Sequence, residues 1–256
     1  MSMKLEEIRI CNFKGLKEAR FQPMDFACLV GENNAGKSSV LQAIVTSLNR
    51  PSYIPSSLFY DDTLPVEFVS RFSGITLGHL QRLAEEHRLK IEELVIDECL
   101  TIITRYRLDE KVEVRVLKRI PKEARYQVEA IDEHLKGKKG PAIRQVILDN
   151  YPEFSPNLPG QLNVTLAKSY LSIQINLLDA NAFEMQERAL PSGISSSISA
   201  LLPETIYIPA VKNLSDDLKT TQSTSFGRLL GLLLEDMSPD LEEINASLGQ
   251  LKETFQ

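Results

Sequence analysis

The chain of 256 residues has no tryptophan, only three cysteines and only three histidines. So few cysteines exclude a scaffold held by several disulfides, and we expect Cys11, Cys28 and Cys99 to be reduced and buried. The histidines are not spaced as metal ligands are, which excludes a structural zinc module built on them. The fold must therefore be held by an ordinary hydrophobic core.

Long apolar segments are also missing. No run approaches the ~18 residues that a membrane helix needs, and the first residues, MSMKLEEIRI, include no signal-peptide core. We therefore expect a cytoplasmic protein without membrane contact. Neither sign of charge dominates, since 29 basic and 35 acidic residues give a net charge of −6. This balance does not favour nucleic-acid binding by the chain as a whole.

The chain does contain a glycine-rich stretch, VGENNAGKSS, that fits the pattern G-x-x-x-x-G-K-[ST]. Gly31 and Gly36 allow turns that a Cβ would block, and the N–H groups of such a loop can surround an anion. Lys37 would reach the β- and γ-phosphates of a nucleotide, and the Ser38 hydroxyl would bind Mg²⁺. We therefore predict a site for ATP and Mg²⁺ formed by Gly31, Glu32, Asn33, Asn34, Ala35, Gly36, Lys37, Ser38 and Ser39.

The residues around this loop support the prediction. Residues 26–30 form an unbroken apolar run, which is typical of a strand covered on both faces. The apolar residues after Lys37 recur at helical spacing, and Pro51 ends that pattern. The N-terminus of the predicted helix, with its partial positive charge, would therefore face the phosphates.

The rest of the chain alternates between strand and helix patterns. We predict strands at 4–13, 18–22, in two runs between 100 and 117, in two runs between 161 and 178, and at 205–210. We predict helices at 77–94, 142–148, 184–202 and 225–237. Residues 121–160 resemble an inserted module within a lobe of residues 1–237.

The last segment, residues 238–256, has the most regular pattern. After Ser238 and Pro239, which suit a helix start, five apolar residues alternate at spacings of three and four. A coiled-coil arm or dimerisation helix would have this pattern, and so would an ordinary amphipathic helix. The sequence leaves both alternatives open. The apolar residues are Leu241, Ile244, Leu248, Leu251 and Phe255.

Two stretches resemble a known family. NFKGL at residues 12–16, followed by LVGENNAGKSSVLQAI, resembles the N-terminus of the SMC-like and RecF-like ATPases of the ABC type. ETIYIPAVKNLSDDLK, at residues 204–219, is similar to the OLD (overcoming lysogenization defect) family. The resemblance implies an α/β fold: a P-loop NTPase head lobe of the ABC/SMC type, with a mixed sheet, flanking helices and the start of a helical arm.

The resemblance also implies a function. OLD proteins join such an ATPase to a C-terminal Toprim nuclease, and many act against phage. The chain would then be the ATP-binding N-terminal part of an ATPase head that drives an endonuclease in DNA processing or anti-phage defence. Paired heads would make it a homo-oligomer, with DNA and a defence-system protein as candidate partners. The alternatives are a RecF- or SMC-like repair ATPase without a nuclease, and an assembly module that binds nucleotide without hydrolysing it.

The family's later motifs are not evident. LVIDE, which ends in Asp97 and Glu98, has the letters of a Walker B strand but follows a helical pattern early in the chain. Asp97 and Glu98 are therefore a Walker B candidate that the context does not favour, and the catalytic residues stay unassigned. LPSGISSSI, at residues 190–198, is interpreted as a linker and helix rather than an ABC signature. No acidic cluster of the Toprim type is convincing.

One stretch, residues 105–144, is basic, with twelve Lys/Arg and seven Asp/Glu. It could lie along the phosphates of DNA. It could equally be a solvated hairpin face whose charges pair across strands. We favour the second interpretation because acidic residues are interleaved with the basic ones.

Overall fold

The computed structural model describes residues 3–208 and 227–231, and its centre is a six-stranded sheet. The strands lie in the order β2-β1-β3-β4-β5-β6, and every pairing between them is antiparallel. With helices flanking the sheet, the predicted α/β class is confirmed, but the described sheet is antiparallel and not the mixed sheet that was expected. The strands are β1 (Lys4–Phe13), β2 (Leu16–Phe21), β3 (Val66–Ser73), β4 (Leu100–Tyr106), β5 (Glu113–Pro121) and β6 (Phe183–Ala189).

Residues 3–208 also form seven α-helices. Buried residues of α1, α3 and α7 share one hydrophobic core with the sheet, whereas α4, α5 and α6 lie between β5 and β6 in the chain. The helices are α1 (Lys37–Asn49), α2 (Leu77–Leu80), α3 (Glu85–Glu92), α4 (Val128–Leu135), α5 (Pro141–Asn150), α6 (Val164–Asn176) and α7 (Ser195–Leu201).

One face of the sheet is apolar and packs against α1. Along β3, alternate residues from Val66 to Phe72 are buried, as the two-residue period of a strand requires. The ring of Phe68 lies edge-on to Phe13, with ring centres 5.3 Å apart, and to Tyr106, at 6.1 Å. All three rings are fully buried, so Phe68 lies at the centre of the main core.

The opposite face of the sheet contains paired charges. Arg105 on β4 donates to Glu67 on β3, Nε to Oε2 at 2.6 Å, and to both carboxylate oxygens of Glu187 on β6. Arg115 on β5 also contacts Glu187, with Nε 2.5 Å from Oε1. For the strand part of residues 105–144, the predicted pairing of charges across strands is therefore confirmed.

The charge of Glu187 gives the fold a testable response to acid. Hydrogen bonding to Arg105 lowers the pKa of the Glu187 carboxyl below its ordinary value of 4.5. A depressed folded-state pKa stabilises the protein above pH 4.5, and this stabilisation is lost as the pH falls through the folded-state value. Melting temperatures measured down to pH 3 should therefore fall less steeply for Glu187→Gln. The control is Glu129→Gln, at an exposed position on α4, and equal slopes in all three proteins would contradict the assignment.

The segment between β5 and β6 has a core of its own. This core contains Ile131 from α4, Ile147 from α5 and Leu171 from α6, together with Tyr126 and Tyr151. The Tyr126 hydroxyl donates to a Glu153 oxygen at 2.5 Å, and the Tyr151 hydroxyl donates to the backbone oxygen of Arg125 at 2.9 Å. Burial raises the pKa of each phenol to about 12. Both tyrosines therefore remain neutral hydrogen-bond donors at neutral pH.

The two strands predicted between residues 161 and 178 are wrong, because this stretch is helix α6. The Asn163 side chain accepts a hydrogen bond from the Leu166 N–H at 2.8 Å and caps the helix. Ala167, Leu171 and Ile175 follow at a spacing of four and are buried. The spacing that decides the structure is therefore helical.

Two predicted helices also differ from the structure. The stretch 184–202 divides into β6, which pairs with β5, and α7. The helix predicted at 77–94 divides into α2 and α3, because Ala84 has an extended backbone with ψ 139°. The Thr76 hydroxyl and the His79 side chain cap α2 at its start.

Residues 203–256 group as a second unit, of which 203–208 and 227–231 are described. The predicted strand at 205–210 is not found in its described part, whereas residues 227–231 are helical, as predicted for 225–237. Within this unit, Arg228 Nη2 lies 2.5 Å from Glu204 Oε1. The apolar seam of residues 238–256 lies outside the described residues. No helix among the described residues is long and apolar enough to cross a membrane.

Candidate nucleotide-binding site

The glycine-rich loop leads directly into α1, as the sequence predicts. Gly36 is the residue before the helix and has a left-handed backbone, with φ 86° and ψ 4°. Asn34 is also left-handed, with φ 71°. Glycine and asparagine are the residues that tolerate this geometry best. The Val40 N–H then donates to the Gly36 oxygen at 3.0 Å, so that the helix begins at the loop.

The side chain of Lys37 folds back over the loop. Its Nζ donates to the backbone oxygen of Gly31 at 2.8 Å and to that of Glu32 at 2.6 Å. The Ala35 N–H donates to the same Glu32 oxygen at 3.2 Å. The ammonium is therefore held at the loop by carbonyl oxygens. A phosphate bound there would meet a positive charge beside the N-terminus of α1.

Ser38, in the first turn of α1, provides the hydroxyl that the sequence assigns to Mg²⁺. Among residues 3–208 and 227–231, no group of three or more His, Cys, Asp and Glu side chains could hold a metal ion. Mg²⁺ commonly keeps several waters and binds substrate phosphates with few protein ligands. One exposed hydroxyl beside a phosphate loop is therefore a donor set that suits Mg²⁺ bound with a nucleotide.

The turn between β1 and β2 contacts both the loop and α1. A Cβ built on Gly36 would lie 2.8 Å from Cδ2 of Leu16, so the Leu16 side chain packs directly against the Gly36 backbone. Lys14, two residues before Leu16, donates through Nζ to Oε1 of Gln42 on α1. The NFKGL turn therefore positions the phosphate loop on the sheet. The sequence alone gave no signal for these two contacts.

Asn12, the first residue of NFKGL, anchors this turn to the 58–64 segment. Its buried amide donates to the backbone oxygens of Asp61 at 2.8 Å and Leu64 at 2.7 Å, and accepts from the Asp61 N–H at 2.8 Å. Its backbone is left-handed, with φ 59°, which asparagine tolerates better than most residues. Asn12 therefore fixes the geometry of the turn that holds the loop.

The segment before the loop does not have the predicted structure. Residues 26–30 form no strand, and Phe26 and Val30 are 87% and 89% exposed. Cys28 is also exposed, and Cys11 and Cys99 are only partly buried, so the expectation of three buried cysteines is wrong. A strand needs a neighbour to pair with its backbone, and no strand of the described sheet lies beside this run.

Asp97 and Glu98 lie in a tight turn that leads into β4. Both have a left-handed backbone, with φ 50° and 58°, and Ile96 and Cys99 on either side exchange backbone hydrogen bonds of 2.8 and 2.9 Å. Two such residues between paired neighbours form a hairpin turn of the I′ type. The two carboxylates therefore do not follow a buried parallel strand, which is the context that a Walker B pair requires.

The far end of α1 is fixed to the serine-rich stretch. Arg50 Nη2 donates to the Ser199 hydroxyl on α7 at 2.6 Å, and burial lowers the pKa of its guanidinium. On the same helix, the Ser197 hydroxyl lies 2.7 Å from Nδ1 of His87 on α3. LPSGISSSI is therefore a linker followed by a helix, as predicted, and Ser197 within it and Ser199 just after it contact neighbouring helices.

The comparisons with known proteins agree with this geometry. A family model described as an AAA ATPase domain matches residues 3–256. The chain belongs to this family of AAA ATPase domains. Membership implies nucleotide binding, and the match includes the whole phosphate loop.

This AAA ATPase domain is also similar to a curated protein, the Old nuclease of Escherichia phage P2. The two are 27% identical over 244 residues, which are 95% of this chain and 31% of the relative. The resemblance to the OLD family is thereby confirmed. The chain spans about a third of the length of that relative.

Proposed function

We propose that the chain is the ATP-binding N-terminal part of an ATPase head that drives an OLD-type, ATP-dependent endonuclease. The single observation that supports this most is the phosphate loop, with Lys37 held over it and α1 starting at Gly36. Similarity to a phage Old nuclease supports the nuclease part of the proposal. The nuclease centre would lie in a further part of a longer protein, with a role in DNA processing or anti-phage defence.

Each loop residue has a defined task in this proposal. Backbone N–H groups of residues 31–39 bind the phosphate oxygens, and Lys37 Nζ exchanges its two carbonyl partners for the β- and γ-phosphates. The Ser38 hydroxyl and the phosphates hold Mg²⁺. The bound Mg²⁺ would neutralise charge that develops on the phosphates during transfer.

Binding and hydrolysis are separate matters in this proposal. Hydrolysis also needs a carboxylate that organises Mg²⁺ and a residue that orients the attacking water. Asp97 and Glu98, in their tight turn, are poor candidates for both tasks. We propose that a second head and a carboxylate pair elsewhere complete the site. The chain by itself would then bind ATP and hydrolyse it slowly or not at all.

Replacing Lys37 with alanine tests the site directly. The variant should bind ATP about 10- to 100-fold more weakly, because a hydrogen bond to a charged group contributes about 1.5–3 kcal/mol. Calorimetric titration with ATP and Mg²⁺ measures this, and circular dichroism checks the fold. Lys90→Ala removes the same charge from α3, where Lys90 pairs with Glu86, and should leave ATP affinity unchanged.

Three outcomes would contradict parts of the proposal. Equal ATP affinity in the parent and in Lys37→Ala would contradict the assignment of the nucleotide site to this loop. Brisk phosphate release by the parent, abolished in Glu98→Gln, would identify LVIDE as a working Walker B and the chain as a self-contained ATPase. ATP binding without hydrolysis, in a longer protein that lacks a nuclease, would favour a repair ATPase or an assembly module.

A further inference from the structure

The basic residues of the 105–144 stretch divide into two groups by their surroundings. Most of those on or beside the sheet and in the turn after β5 pair with carboxylates: Arg105, Arg107, Arg115, Lys118 and Arg125. The exceptions there are Arg119, which lies over the ring of Phe183, and the isolated Lys111 and Lys122. Four further cations cluster between the end of α4 and the first turn of α5, and no described carboxylate lies within 4.0 Å of their nitrogens; Arg144 donates instead to the backbone oxygen of Pro159 at 2.9 Å. This unpaired group comprises Lys136, Lys138, Lys139 and Arg144.

The unpaired group forms a basic loop, KGKKGPAIR, at residues 136–144. It contains four cations and no acidic residue, and all four side chains are exposed. Gly137 and Gly140 have left-handed backbones, with φ 71° and 52°, and bend the chain on either side of the two central lysines. A Cβ on either glycine would meet nothing within 4 Å. The bends are therefore not packed against other residues, and the lysines are presented to solvent.

Nearby acidic side chains do little to neutralise this charge. Asp132 on α4 is occupied by Lys168, whose Nζ lies 2.7 Å from Oδ1. Glu133 is exposed one turn before the loop, and Asp149 accepts from Gln145 near the other end of α5. In a chain with a net charge of −6, the basic loop is therefore a local concentration of positive charge. A polyanion is the partner that this distribution favours.

We propose that the basic loop binds the phosphate backbone of duplex DNA. Lysine and arginine contacts to phosphate are the main source of affinity that does not depend on sequence. The loop contains no aromatic residue on which unpaired bases could stack, which favours a duplex over a single strand. The inference rests on the proposed function, in which the longer protein acts on DNA, and it assigns this chain a DNA contact of its own.

The test compares two triple variants with equal loss of charge. The loop variant changes Lys136, Lys138 and Lys139 to glutamine. The control variant changes the exposed Lys17, Lys111 and Lys122 to glutamine. Fluorescence anisotropy with a short labelled duplex is followed between about 50 and 200 mM salt, where each phosphate contact contributes about 0.9 to the slope of log K against log salt. The loop variant should bind at least about tenfold more weakly, with a slope shallower by about 2–3. The control variant should lose far less affinity for the duplex.

Three results would overturn the proposal: no duplex binding by the parent, equal losses in the two triple variants, or loop-dependent binding of anionic vesicles or an acidic peptide in place of duplex. Circular dichroism and thermal melting confirm that the variants are folded. ATP titration of the same proteins separates the two proposals. The loop variant should keep the parent's ATP affinity, whereas an unchanged ATP affinity in Lys37→Ala would count against the nucleotide site alone.

Discussion

Replacing Phe68 with alanine is expected to lower the free energy of unfolding by about 3–5 kcal/mol. The ring is fully buried in the middle of β3, between the rings of Phe13 and Tyr106. Its removal takes away both the transfer free energy of the ring and two edge-on aromatic contacts. The neighbouring strands hold the walls of the space apart, so the site can collapse only in part.

Urea denaturation followed by circular dichroism measures this change. Val69→Ala is the matched control, because Val69 is the next residue along β3 and lies on the charged face of the sheet, between Arg9 and Ile103. Val69 is only partly buried, so its truncation should cost about 1 kcal/mol or less. Similar losses in the two variants would show that the sheet does not have one apolar face and one charged face.

β3 was not predicted, although its sequence has a clear strand pattern. Val66, Phe68, Ser70 and Phe72 alternate with partly or fully exposed residues, which is the pattern of a half-buried strand. The surrounding loops gave no hairpin signal, since β3 pairs with β1 and β4, which are distant in sequence. Strands joined by short connections were predicted well, as β1 with β2 and β4 with β5 show.

The errors in the helices and the 26–30 segment have another physical cause. Short apolar stretches, such as those in residues 161–178, suit a strand or a helix until packing decides between them. For α6, the decisive features are the Asn163 cap and burial of Leu171 against the second core. Residues 26–30 have the composition of a buried strand, but pairing depends on a neighbour and not on composition.

The phosphate loop was predictable because its chemistry is local. Residues 31–39 contain the glycines, the lysine and the serine, and the following apolar pattern predicts the helix. The support for the loop is not local, because Leu16 and Gly36 are brought together only by the fold. The same holds for Lys14 and Gln42. The sequence therefore predicts residues for a nucleotide site but gives no signal for the contacts that position their loop.

Gly36→Ala should weaken nucleotide binding. The residue has φ 86°, a left-handed backbone that costs a residue with a Cβ about 1–2 kcal/mol. The new methyl group would lie 2.8 Å from Leu16 Cδ2, so the end of the Leu16 side chain would have to move as well. If the loop relaxes to escape both costs, it loses the geometry that binds phosphate. The backbone strain alone, about 1–2 kcal/mol, corresponds to roughly 5- to 30-fold weaker ATP binding.

Two further variants identify which of these costs matters. Gly15→Ala, in the adjacent turn, is the control, because a Cβ there meets nothing within 4 Å and its backbone is not left-handed. It should bind ATP as the parent does. Adding Leu16→Ala to Gly36→Ala removes the steric contact but not the backbone strain, so titration calorimetry should show partial recovery of affinity. Full recovery would mean that the contact with Leu16 is the whole effect. Parental affinity in Gly36→Ala alone would mean that the loop binds nucleotide in a different conformation.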